Sequence, residues 1–71
     1  MLLQLDYQIR QAYAHAEHCA ERARCAADAR ERNDWLFMEE RWLVLARSLE
    51  FSRRLERFTH EAARRRRSSD S

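Results

Sequence analysis

His15, His18, Cys19 and Cys25 carry the most specific chemistry in this chain, because imidazole and thiolate are the usual ligands of zinc. His15 and Cys19 stand four residues apart and share a helix face, with His18 beside them. A structural zinc needs four converging ligands, and Cys25 lies roughly 240° around a helix from Cys19. One helix therefore cannot assemble the set. Nor can its two thiols reach each other to form a disulfide. A metal- or redox-sensing site at these residues would need a second copy to complete it. The plainer expectation is that Cys19 is a small core residue, that both imidazoles are solvated, and that no cofactor is held.

Glu39 and Glu40 are the next candidates, as a carboxylate pair for acid–base work. Adjacent helical residues point about 100° apart, and arginines surround both, so they read as solvated surface charge. The inward Glu-x-x-His pairs of carboxylate-bridged metal bundles are missing from the sequence. No catalytic residue is nominated, and the chain is not expected to be an enzyme.

The third group is "RRLERFTHEAARRRR", in which Arg53, Arg57, Arg64, Arg65, Arg66 and Arg67 are candidate anion-binding residues. Guanidinium forks suit phosphate, and a basic end of this kind could hold nucleic acid or an anionic membrane surface. The opposing consideration is that four consecutive arginines spray around a helix. Cations at a helix C-terminus are also favourable for the dipole alone.

The elements that position these groups follow from composition. The 71 residues contain no Gly and no Pro, which removes the usual residues of hairpin turns and phosphate-cradling loops. An all-α chain of long helices is expected, of a size whose single core supplies only a few kcal/mol. All 14 basic residues are Arg. Residues 1–63 hold ten Arg against eleven acids, for −1, and the rest holds four Arg against Asp70, for +3. The basicity is thus terminal, on a charge-balanced body.

Ile9, Ala12, Ala16, Cys19, Ala23 and Ala26 recur at intervals of three and four, which predicts a helix over about 3–26 with one narrow apolar stripe. Leu2 and Leu5 extend the stripe; Tyr13 and Ala20 widen it. "CAADARE" is the expected break. Asp28 would accept from an early N–H of the next helix, and Glu31 would reach back to the cap N–H. A single continuous helix is the rival, but it leaves the whole stripe wet. The second helix is expected over about 29–65, giving a hairpin domain of residues 1–65 and a disordered Arg/Ser tail of 66–71.

The second helix has two apolar faces. Trp35, Met38, Trp42, Leu45 and Leu49 fall within roughly 80° of each other. With Ile9, Ala16 and Cys19 they form the predicted hairpin core. Val44, Phe51, Leu55, Phe58 and Ala62, together with Phe37, lie nearly opposite. The first helix, counted from Gln4, reaches back only to about Leu49 or Glu50, at ~1.5 Å per residue. The second face is therefore the expected oligomer or partner interface, most simply that of a homodimer forming a four-helix bundle. Docking on a different protein would satisfy the same physics.

No apolar run approaches the ~20 residues that span a bilayer. The opening "MLLQLDYQI" has no positive n-region and soon meets Asp6, so it does not read as a signal peptide. Two cysteines do not suggest a disulfide framework, which favours a reducing cytoplasm.

"DARERNDWLFMEERWLVLARSLEFSRRLERF", residues 28–58, resembles a group of short alphaproteobacterial helical-hairpin proteins to which no activity is attached. Their pattern is an Asp-Pro helix start, then Met-Glu-x-x-Trp-Leu-x-Leu-Ala and a Glu-Phe-Ser run. It maps onto Asp28, Met38, Glu39, Trp42, Leu43, Leu45, Ala46, Glu50, Phe51 and Ser52, with Ala29 in place of Pro. The resemblance implies a bacterial cytoplasmic hairpin broken at Asp28. The expected function is a small interaction or regulatory module that self-associates through its second helix. A nucleic-acid- or anion-binding regulator and a metal or redox sensor are the alternatives.

Overall fold

The computed structural model describes residues 2–70, with side chains for residues 4–66. Two helices account for nearly all of it: α1, Leu2–Arg24, and α2, Ala29–Asp70. They pack antiparallel as a hairpin 66 Å long and 16 × 11 Å across. No described helix is long and apolar enough to cross a membrane.

The break falls where the sequence places it. α1 ends through a tightened turn, in which the Ala26 N–H donates to the Ala23 carbonyl at 3.3 Å, and no described residue takes a positive φ. Glycine is therefore not required to stop this helix. Asp28 starts the next one: its Oδ1 accepts from the Glu31 N–H at 2.8 Å, and its carbonyl takes the first helical bond, from Arg32, at 3.1 Å. The returning bond of the capping box is displaced by one residue. Glu31 Oε2 accepts from the N–H of Ala27, not of Asp28, at 3.3 Å. Capping of this kind contributes ~1 kcal/mol.

α2 runs further than expected. The segment read as a disordered tail, 66–71, is helical over 66–70, and Ser71 lies outside the described residues. Arginine is a good helix former and nothing in the segment breaks a helix. At ~1.5 Å per residue α1 is about 35 Å long and α2 about 63 Å, so α2 projects well past the start of its partner.

The core is made of small residues. Ile9, Ala12, Ala16, Cys19 and Ala23 are buried from α1, as the stripe predicts, and among the described residues of α2 only Ala46 is buried, at 0 % exposure. Met38 and Leu45, predicted as core, are 44 % and 43 % exposed. Trp35, Trp42 and Leu49 are half-buried, as are Glu39, Leu43, Glu50 and Arg53. The contact face of α2 is thus centred on Ala46, turned roughly 60° from the predicted seam. Alanine against alanine and cysteine lets the backbones approach closely. Leucine or methionine at the centre would hold them apart, so the large side chains line the edges.

Candidate functional site

Among the described residues two polar side-chain bonds tie the helices together, one from the middle of α1 and one near the open end of the hairpin. Tyr13 Oη donates to Glu50 Oε1 at 2.7 Å, and Arg53 Nη1 donates to Asp6 Oδ1 at 2.6 Å. α1 therefore meets α2 as far as Arg53, beyond the predicted limit near Leu49 or Glu50, because the long Arg53 side chain reaches back to Asp6, a residue already inside the predicted first helix. Arg53 was a candidate anion ligand. Its guanidinium is instead committed to Asp6, and its Nε is buried without a partner among the described residues.

The charged bond sets a pH dependence. The hydrogen bond from Arg53, helped by the charges of Arg53, Arg57 and Arg10, holds the Asp6 carboxyl below its ordinary value of 3.8 against the opposing effect of burial. A carboxylate whose pKa is lower folded than unfolded contributes stability above the ordinary value and loses it as pH falls through the folded one. The Tyr13 phenol is raised above 10.0 by its bond to Glu50, so its contribution is present below 10.0 and is lost at higher pH. Melting curves against pH should show Asp6→Asn less stable than the parent at pH 7, with the gap closing below pH ~3.8. A gap that persists unchanged at pH 2 would remove the clasp as its cause.

Two of the three histidines meet tryptophans. The His15 ring stacks on Trp42, with centroids 4.2 Å apart and planes at 17°. His18 approaches Trp35 edge-on at 6.2 Å, and the Arg22 guanidinium lies 5.4 Å from the same ring centre. His15, His18 and Arg22 stay exposed, as expected of the two imidazoles, while lying against both indoles, a contact that sequence reasoning did not include. The signal was available only through the antiparallel register, since 15 with 42 and 18 with 35 are cross-helix neighbours. The proposed ligand group does not converge. Cys19 faces into the hairpin and Cys25 is exposed beside the turn, both as free thiols. Among the described residues no three His, Cys, Asp or Glu side chains are placed to share a metal.

Among the described residues, the far face of α2 is a row of large apolar side chains that α1 leaves uncovered. Val44, Phe51, Leu55 and Phe58 are 53 %, 55 %, 49 % and 71 % exposed, with Phe37 at 65 %. Ala62 continues the row, half-buried. These positions lie roughly 120–180° around the helix from Ala46, so α1 cannot cover them. Two of the rings carry arginines from their own helix: Arg41 lies 6.0 Å from the Phe37 ring centre and Arg54 5.9 Å from that of Phe51. Such contacts hide part of each ring while leaving the row open to a partner.

Arg57, Arg64, Arg65 and Arg66 are exposed on the projecting end of α2, and the Arg67 side chain lies outside the described residues. Arg57 and Arg64, seven residues apart, share a face within roughly 20°, while Arg65 and Arg66 turn away from it, with Arg64 and Arg66 roughly 160° apart around the helix axis. The four described guanidinium groups therefore do not all lie on one face. No family model, curated protein or solved structure matches the chain.

Proposed function

We propose that this protein is a small non-enzymatic interaction module of the bacterial cytoplasm that self-associates through the far face of α2, as a homodimer of hairpins. The exposure of Val44, Phe51, Leu55 and Phe58 carries the proposal. Among the described residues the hairpin buries only four alanines, one cysteine and one isoleucine, while most of the large apolar side chains lie outside. So small a core supplies little stability. Covering a contiguous apolar face with a second copy adds the burial that one hairpin lacks.

Light scattering of the purified chain across the micromolar range tests this directly. A mass of two chains is expected, and a single-chain mass at every concentration overturns self-association. The exposed Arg57, Arg64, Arg65 and Arg66 favour a second reading, in which the dimer presents basic ends to nucleic acid or another polyanion. That reading requires binding that falls steeply with salt and disappears when residues 64–71 are deleted.

A further inference from the structure

The far face of α2 is built in heptads, and its two sets of positions differ in character. Phe37, Val44, Phe51 and Phe58 recur every seven residues; Arg41, Ser48, Leu55 and Ala62 recur between them. Steps of four and three alternate along the row, as at the seam positions of a coiled coil. The first set is bulky, and the second is mostly small or polar.

Pairing two such seams parallel places each set against itself. Phenylalanine would meet phenylalanine in three layers, and Arg41 would meet Arg41. Antiparallel pairing places each set against the other. With Ser48 opposite Phe51 of the second copy, Val44 falls opposite Leu55, Arg41 opposite Phe58, and Phe37 opposite Ala62. The next step beyond the apolar row sets Asp34 opposite Arg65. Each phenylalanine then meets a small residue or a guanidinium, and the charges at the ends are opposite in sign. Arg41 already lies over a ring in the single hairpin, so turning to Phe58 of the second copy exchanges one such contact for another of the same kind.

We infer that two copies pair α2 against α2, antiparallel, about a twofold axis at the level of Leu49 and Glu50. The inference rests on the self-association reading and specifies its geometry. Because α1 and the far face occupy opposite sides of α2, the four helices lie in a row, with the two α2 helices central and one α1 on each outer side. A square four-helix bundle would need the two contact faces of α2 at about a right angle.

One competing register is displaced by a heptad, with Val44 opposite Ala62. It sets Arg47 beside Glu61, whereas the inferred register leaves Arg47 beside Arg54 at the solvent edge. However, it brings Arg41 against Arg65 and carries Phe37 beyond the apolar row. Exposed ion pairs at a rim count for little beside burial of a phenylalanine.

Cross-linking the full chain in a Cys25→Ser background separates these arrangements. A short thiol-to-thiol bismaleimide should join Val44→Cys/Leu55→Cys into a covalent dimer, while Val44→Cys and Leu55→Cys alone stay largely uncoupled. Positions 44 and 55 are about 16 Å apart along one helix, too far for a short linker to join them within a chain. Coupling by both single variants shows a parallel pair, and coupling by Val44→Cys/Ala62→Cys instead shows the shifted register; either overturns the inference. A charge exchange gives an independent check. Asp34→Arg should weaken association several-fold, and Asp34→Arg/Arg65→Asp should restore it; weakening without rescue overturns the inferred register. In each of these outcomes the parent chain is still dimeric by light scattering. If the parent is monomeric, it is the self-association reading that falls.

Discussion

Replacing Ala46 with leucine lowers the melting temperature of the hairpin by roughly 10–20 °C, from an overpacking cost of about 2–3 kcal/mol in so small a domain. Ala46 is the most buried of the described residues, and it stands where the α1 stripe of alanine and cysteine allows the backbones to approach. Leucine adds three carbons at a contact that is already fully covered. It can fit only if α1 moves outward, which also withdraws His15 from Trp42 and His18 from Trp35. Circular dichroism follows the melting, and emission from the two tryptophans should shift to the red as α1 loosens. A melting temperature within a few degrees of the parent would show that α1 does not rest on this point.

The second large effect is expected at the opposite side of the same helix. Phe51→Arg with Leu55→Arg should convert the dimer to a monomer while leaving each helix intact. Both side chains are about half exposed in the hairpin, so covering them in a dimer recovers ~1 kcal/mol apiece, or about 4 kcal/mol over the four in two copies. That is nearly a thousandfold in dissociation constant at about 1.4 kcal/mol per tenfold, before the penalty of seating four new charges. Sedimentation at micromolar concentration should report single chains, with little lost helicity because neither position faces α1. If the variant sediments like the parent, copies of the chain do not meet through this face.

These two positions also mark how far the fold can be read from the sequence. The break at Asp28 was legible because capping is a local matter of a carboxylate and nearby N–H groups. The α1 stripe was legible because one partner covers one face, so the period and the burial coincide. α2 was harder, since its large residues surround the axis and periodicity alone does not say which direction faces α1. Met38 and Leu45 are as apolar as a core position should be, yet the smaller Ala46 takes the centre. The deciding quantity was how close the α1 backbone comes, which the residues of α2 do not state. Glu50 and Arg53 face α1 because Tyr13 and Asp6 receive them, and the His–Trp contacts depend in the same way on register between distant segments. The far-face residues were readable by exclusion, as apolar side chains that no single partner could reach. The extent of α2 past residue 65 was missed because a run of arginines resembles a solvated tail as much as a helix end.

The bond between Asp6 and Arg53 joins residues 47 apart in sequence at the open end of the hairpin. Chain closure costs least entropy near the turn, so closure is expected to run outward from Asp28 and to reach this bond late. An interaction absent from the folding transition state leaves the rate of formation unchanged and slows the rate of opening. Asp6 and Arg53 therefore act as a latch. They should lengthen the life of a closed hairpin, because α1 slips this bond before it peels away from α2.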